Sequence, residues 1–397
     1  MRPLDDLFVV DLSRILSGPI CSMMLADMGA RIIKVEPPPH GDDSRLWGPP
    51  FVGGISTYFH SINRGKKSLG LNLKTAAGKT ILWELIDRAD VVLENFRPGV
   101  LAGLGFGYDA VAARNPRVIY CSISGFGQTG PYRDRPGYDV VAQGEGGLMD
   151  LTGYPDQPPA KVGTSISDIV TGMYACQGIL LALLARHRTN KGQFIDISLL
   201  DSTLSTLTYQ SLAYLTTGKA PGRMGTRHPS IVPYECFQVK DGFVNIGVTN
   251  QKQWTAFCQV LGLPDMAGDP RFASMKDRLA HYDLLMEIIT PRLRAMSRQE
   301  AIASLSKVDI PIGPVNTLAE VLEDPQIHAR QMVEELLHPE YGPIRQLGLP
   351  IKMSGTPGKV EGPPPIFGEH NAEVLEMLGY AREKIEEFAR SGVVARG

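Results

Sequence analysis

The stretch Gly163-Thr164-Ser165-Ile166-Ser167-Asp168-Ile169-Val170-Thr171-Gly172-Met173 places a carboxylate where a loop turns into a helix. Ser165 followed three positions later by Asp168 reads as a capping box ahead of an apolar run. Ile169, Met173, Cys176, Leu180, Leu183 and Leu184 follow helical spacing and predict one buried stripe. A helix N-terminus carries partial positive charge and unpaired N–H groups, so an aspartate there is expected to stay ionised at neutral pH. An ionised carboxylate is a weak base and a usable oxygen nucleophile. The same residue also reads as a plain cap, because acids are common at that position. The local sequence leaves both readings open.

Motifs that would bring other chemistry fail on their surroundings. Gly125-Phe126-Gly127-Gln128-Thr129-Gly130 matches G-x-G-x-x-G, but Pro131-Tyr132-Arg133-Asp134-Arg135-Pro136 follows instead of a helix. A dinucleotide fingerprint needs that helix N-terminus for the pyrophosphate, so this segment reads as a loop beside a site. Gly78-Lys79-Thr80 mimics the end of a P-loop, yet Leu73 stands where the first glycine is required. There is no H-E-x-x-H pair, no clustered His/Cys set and no G-x-S-x-G elbow. A metal centre and a serine hydrolase are therefore not expected.

Composition sets the wider bounds. The chain has 397 residues, 43% hydrophobic and 21% charged, which is ordinary for a globular protein of two or three domains. Forty Lys and Arg against 42 Asp and Glu leave it near neutral, so neither a nucleic-acid nor a membrane partner is expected. Met1-Arg2-Pro3-Leu4-Asp5-Asp6 shows no targeting signal, and the apolar run Gly178 to Ala185 is too short to span a bilayer. Cys21, Cys121, Cys176, Cys236 and Cys258 are scattered and odd in number, which fits a reduced, cytoplasmic setting.

The elements that must position Asp168 read as alternating strands and helices. Strands are expected at 7–12, 31–36, near 67–72, 91–93, 118–123 and 194–197. Gly18-Pro19 opens a helix that stops at Gly29, and another runs from Thr75 to Ala89. Such alternation implies βαβ units in a largely parallel sheet, with ligands beyond the strand C-termini. The loops after Val35, Leu93 and Ile123 are the places to look. A helical segment follows from about Leu200 to Leu215, and Thr216 to Pro233 looks like a linker. A hairpin turning at Lys240-Asp241-Gly242 and helices over 250–307 read as a smaller α+β domain. Residues 309–331 lead out of it, and 332–397 hold strand-like pieces and a last helix near Ala372–Leu378.

Several segments together resemble the family III CoA-transferases. They are Val10-Asp11-Leu12-Ser13-Arg14 with Gly18-Pro19, Leu25-Ala26-Asp27-Met28-Gly29-Ala30, and Ile33-Lys34-Val35-Glu36 with Gly41-Asp42-Asp43. Asn63-Arg64-Gly65-Lys66-Lys67-Ser68, Glu94-Asn95-Phe96-Arg97-Pro98-Gly99 and Gly163 to Gly172 complete the set. The resemblance runs from Leu7 to about Gly379. The loops Gly41 to Phe51 and Gly225 to Tyr234 look most like the branch that moves CoA between dicarboxylates such as succinate, glutarate, hydroxymethylglutarate and itaconate.

The resemblance implies an α/β fold: a Rossmann-like large domain from the N- and C-terminal parts, a smaller α+β domain, and an interlocked homodimer. On that plan 1–215 and 332–397 form the large domain, 216–233 and 309–331 are the crossings, and 234–308 is the small domain. It makes Asp168 the nucleophile and acyl-CoA the co-substrate. CoA contacts carry over onto Leu16 and Ser17, Leu71, Asn72, Leu73 and Lys74, Asn95, Phe96 and Arg97, and Pro136, Gly137, Tyr138 and Asp139. Asp139 reads either as a second acid that positions the acyl group or as a helix cap. Lys34, Lys66, Lys67 and Lys74 are candidates for CoA phosphates, with solvated faces the alternative. A dicarboxylate needs a cation at its far end, and Arg45, Arg64, Arg227 and His228 lie in the family-like loops, with a surface or dimer-interface ion pair the alternative for each. Gly144, Gly146 and Gly147 are candidate oxyanion donors or simple turns. Leu16 stands where the formyl-CoA enzyme has a glutamine, and Pro37 and Gly103 where it has arginines. These departures point away from formate and oxalate. An α-methylacyl-CoA racemase shares the expected fold, but the related racemases have histidine where Tyr138 stands here. A catalytically silent CoA-binding protein is the third reading.

Overall fold

The structure, a computed structural model, describes residues 1–395. Six parallel strands form the central sheet: β1 (Phe8–Asp11), β2 (Arg31–Glu36), β3 (Lys66–Gly70), β4 (Val91–Glu94), β5 (Ile119–Ser124) and β6 (Gln193–Ser198). Their spatial order is β3-β2-β1-β4-β5-β6. The order reverses between β1 and β4, which opens the crevice at which doubly wound sheets bind ligands. Both sheet faces are covered, so the strands read as near-continuous apolar runs. Val10, Ile33, Val92 and Tyr120 pack under helices Ala76–Arg88, Asn371–Leu378 and Arg382–Arg390. Val9, Ile32, Val91, Ile119 and Cys121 face the opposite way, against helices Ser17–Asp27 and Ile166–Thr189.

The chain divides into two compact units. The first comprises Met1–Leu148, Lys161–Leu212 and residues from Pro325 onward, and the second Met149–Ala160 and Ala213–Asp324. The chain passes from the first unit to the second after Leu212 and back after Asp324. Assignment of Met149–Ala160 to the second unit has no compositional signal. Residues beyond the second unit return to the first sheet: the Asn72 amide donates to the Val393 carbonyl (2.9 Å) and the Ala395 amide to that of Gly70 (2.8 Å). The Asn371 side chain accepts from the Gly70 amide at 2.8 Å. The second unit has its own core around Trp254, Phe257, Phe272, Leu285 and Ile289. Its antiparallel sheet sets Gly242–Gly247 between Tyr234–Val239 and Ile312–Pro314.

The Asp168 helix spans Ile166–Thr189. By length and apolar composition it could cross a membrane, yet one face lies on the sheet. That buried face is Asp168, Thr171, Gly172, Ala175, Cys176, Ile179, Ala182 and Leu183. Met173, Leu180 and Leu184, expected in the buried stripe, are exposed together with Leu181. Gly172 explains the rotation. A Cβ there would lie 2.5 Å from the Ser17 carbonyl and collide with Ile20. Glycine lets the Ser17 and Asp168 helices cross at near contact, which turns the small residues inward.

Candidate active site

Asp168 is the third residue of its helix and 8% exposed. The expected capping box does not form: Ser165 makes no side-chain cap. Its hydroxyl is instead hydrogen-bonded to Tyr58 of the short helix Thr57–His60. The helix is capped from elsewhere, by Asp139, whose carboxylate accepts from the Ser167 amide at 2.9 Å. The other Asp139 oxygen accepts from the Gln143 amide nitrogen at 2.7 Å. Gln143, wholly buried, accepts in turn from the Val162 amide at 2.9 Å. Asp139 and Gln143, one helical turn apart, thus fasten the loop between the helix Leu148–Leu151 and the one that carries Asp168.

The Asp168 carboxyl is not held in the ordinary range. Burial pushes its pKa up to about 7, the nearby Asp139 charge adds to the rise, and a hydrogen bond from the Ser17 hydroxyl opposes it. The macrodipole argument therefore loses to desolvation and a like charge. The Tyr58 phenol responds to the same surroundings, pushed up to about 12 by burial first and by Asp168 next. Trp47 meets the Tyr58 ring edge-on at 5.5 Å. Tyr58, Trp47 and Gln143 were not found from sequence. Only Gln143 offered a signal, the i, i+4 spacing from Asp139.

The loops after β1 and β4 meet at the switch point. Asn95 accepts from the Arg14 amide (2.8 Å) and donates to the Arg14 carbonyl (2.7 Å). The Arg14 guanidinium lies over Phe96 at 5.0 Å. Leu16 and Ser17 follow at the start of the Ser17 helix. Leu71 is buried beside Val394, Leu73 packs on the core, and Lys74 and Arg97 are exposed. Pro136 and Tyr138 are exposed, with Gly137 between them. Gly125 and Gly137 touch backbone to backbone, since a Cβ on Gly125 would lie 2.7 Å from the Gly137 Cα. The loop they close is moored by Gln128, whose amide donates to Asp196 (3.0 Å) and whose side chain donates to Ser122 (2.8 Å). Ser122 also donates to Glu94, and burial pushes that carboxyl up to about 7. Glu94, Ser122 and Asp196 stand in register on neighbouring strands.

Several expected ligand contacts already have protein partners. Lys34 is fully buried, paired with Asp42 at 2.8 Å and donating to the Ser13 carbonyl. It cannot reach a solvent-borne phosphate. Lys66 is likewise buried, against Asp11, Asn63 and the Pro19 carbonyl. Lys67 pairs with Glu373. Arg45 is buried, bidentate to Glu36 at 2.7 Å, and also donates to the Pro365 carbonyl. Arg64 is bidentate to Asp27 and donates to the Leu347 carbonyl. Both guanidiniums are consumed by buried ion pairs, the reading these residues take in place of substrate contacts. In the second unit, Arg227 lies over the Tyr282 ring at 3.9 Å, and His228 packs edge-on to Tyr234. The Gly146 and Gly147 amides donate to the Ala142 and Gly144 carbonyls, and Gly144 lies within the helix Asp139–Glu145. These are turns, not free oxyanion donors. Among the described residues no group of three or more His, Cys, Asp or Glu side chains could hold a metal.

A parallel, doubly wound sheet with a buried carboxylate beside its switch point places the chain among α/β proteins. The model of CoA-transferase family III matches residues 4–371, and the chain belongs to that family of enzymes. It is 42% identical over 393 residues to the succinate–glutarate CoA-transferase of Agrobacterium fabrum, covering 98% of this chain and 97% of that one. It is 44% identical over 391 residues to the acetyl-CoA:oxalate CoA-transferase of Acetobacter aceti, covering 98% and 96%. Among solved structures it is similar to a CAIB/BAIF family protein from Brucella suis, with a TM-score of 0.86, 43% identity, and 95% and 99% coverage.

Proposed function

We propose that this enzyme moves CoA from an acyl-CoA donor of the succinyl-CoA type to a free dicarboxylate such as glutarate or itaconate, with Asp168 as the covalent carrier. The observation that carries the reading is the environment of Asp168: desolvated, hydrogen-bonded by Ser17 and raised to about 7. A carboxylate is a poor nucleophile when well solvated at its ordinary pKa, and burial raises both its basicity and its reactivity.

In this reading an Asp168 oxygen attacks the donor thioester carbonyl, the C–S bond breaks, and CoA leaves as the thiolate. An acyl–aspartyl anhydride remains. The thiolate then attacks the Asp168 carbonyl, expels the donor acid as a carboxylate, and leaves an aspartyl-CoA thioester. The acceptor carboxylate attacks that thioester, and the two steps reverse to give the new acyl-CoA and free Asp168. Each nucleophile attacks as an anion, so once Asp168 is ionised no histidine base is required. Asp139 serves this sequence by capping the helix and by raising the basicity of Asp168. The buried ion pairs of Arg45 and Arg64 argue against them as receivers of the far carboxylate. The exposed apolar residues Met173, Leu180, Leu181, Leu184 and Leu204 support burial by a second copy, and we assign the enzyme as a homodimer.

Succinyl-CoA incubated with glutarate, itaconate, malate, citramalate, hydroxymethylglutarate and oxalate, read by mass spectrometry, tests the substrate class. Oxalate belongs in that panel because a 44% identical relative acts on it, although the departures from the formyl-CoA pattern point away from it. Asp168→Ala should abolish exchange, and rapid quenching of the native enzyme should place a CoA-sized adduct on the Asp168 peptide. Retained exchange in the variant contradicts the assignment. Deuterium uptake at the α-carbon of an acyl-CoA without CoA transfer would favour the racemase instead.

A further inference from the structure

Ile15 has a φ of +71°. A β-branched residue in that region is a backbone outlier, held there only when its neighbours over-determine it. The neighbours are on both sides. Asn95 uses its carbonyl oxygen and its amide nitrogen on one residue, the Arg14 backbone, at 2.8 and 2.7 Å. The Ile15 amide points between the two Asp42 oxygens, 3.2 Å from each. Asp42 is itself fixed, paired with Lys34 at 2.8 Å and accepting from the Ser44 amide at 3.0 Å. Arg14 is pinned further by its stacking on Phe96. Two residues downstream stands Ser17, whose hydroxyl donates to Asp168. The turn therefore ties the loop after β4 to the residue that touches the reactive carboxylate.

We propose that Asn95 is a positioning residue, clamping the strained Arg14–Ile15 turn so that Ser17 stays against Asp168. The inference rests on the role of Asp168 proposed above. It assigns the Asn95 side chain to the protein, because both of its polar groups are already engaged there, and leaves a CoA contact at Asn95 to its backbone. Strain at Ile15 is the reason a clamp is needed. Released, the turn relaxes to negative φ, the start of the Ser17 helix shifts, and the hydrogen bond to Asp168 lengthens.

The test is a double-mutant cycle in the full-length enzyme: Asn95→Ala, Ile15→Gly and the pair. Glycine adopts positive φ without strain, so it removes the need for the clamp. Asn95→Ala should lower kcat by about tenfold to a hundredfold, as expected for a small displacement at a reactive group. KM for acyl-CoA should move less than about threefold, because this clamp touches protein rather than ligand. The acid limb of the kcat profile should move to higher pH, since loss of the Ser17 hydrogen bond disfavours the charged form. Ile15→Gly placed on Asn95→Ala should restore kcat to within about threefold of native and return the acid limb. A variant whose KM rises while kcat stays native would show that Asn95 holds CoA directly and overturn the proposal. Equal kcat in Asn95→Ala and the double variant would also overturn it. Asn95→Asp, which keeps the acceptor and loses the donor, replaces Asn95→Ala if that chain does not fold. The cycle is read in Tm as well, without substrate. Coupled changes at 15 and 95 support the clamp and additive ones refute it, even if the native enzyme moved no CoA and the transferase reading alone failed.

Discussion

Asp139→Asn is the perturbation that most directly probes how Asp168 is tuned. The Asp168 carboxyl is raised from an ordinary 3.8 to about 7. At about 1.4 kcal/mol per pH unit, that rise represents about 4 kcal/mol of penalty on the charged form. Burial is the largest cause and the Asp139 charge the next; a nearby charge typically moves a carboxyl by about one pH unit or more. Asparagine keeps an oxygen to accept from the Ser167 amide, which preserves the cap seen at 2.9 Å. It removes the negative charge. The acid limb of kcat should therefore fall from near pH 7 to about pH 6. At pH 6 the native enzyme would have about one tenth of its Asp168 ionised and the variant about half, so relative activity there should rise about fivefold. The plateau above pH 8 should drop modestly, because Gln143 must turn its amide to face asparagine and loosens its hold on Val162. The assay is kcat for CoA exchange from pH 5 to 9 at saturating substrates. An unmoved limb, or one displaced upward, refutes the claim that Asp139 raises the Asp168 pKa.

Other consequences can be checked alongside. Glu94 and Asp168 both have folded-state values raised to about 7. Their favourable contribution is thus fully present below the unfolded-state values near 4 and is lost as pH rises through about 7. Glu94→Gln should leave stability unchanged below about pH 4 and raise it at pH 8, by up to about 3 kcal/mol in denaturant titration. Arg45→Met strands Glu36 in the core and should cost about 3–5 kcal/mol in urea unfolding. Gly172→Val should force the Ser17 and Asp168 helices apart, reducing kcat more than tenfold while the fold persists, read by kinetics beside circular dichroism.

Much of the sheet was legible because its strands are short runs of apolar, β-branched residues between turn signals. The expected strands at 7–12, 31–36, 91–93 and 118–123 match β1, β2, β4 and β5 to within one or two residues. The start of the Asp168 helix fell where expected, although the cap comes from Asp139 and not from the Ser165 side chain. What failed was long-range. The 3.6-residue period of that helix fits more than one apolar stripe, and only the approach of Ser17 to Gly172 selects the face turned inward. Arg64 meets Asp27 and Arg45 meets Glu36 through the fold, and no spacing in the sequence announces those pairs. The ionisation of Asp168 was misjudged because burial outweighs the helix dipole, and burial is a property of the assembled unit.

The return of the chain to the first sheet has a consequence for synthesis. Gly70, Leu71 and Asn72 are joined by Val393, Val394 and Ala395, and the intervening second unit has a core of its own. On the ribosome, that inserted unit is complete while its host still lacks a wall. The host must wait, with the margin of its sheet uncovered, until the late helices emerge. Such a molecule is most exposed to misassembly in the interval before release, and chaperone demand should fall on the host alone.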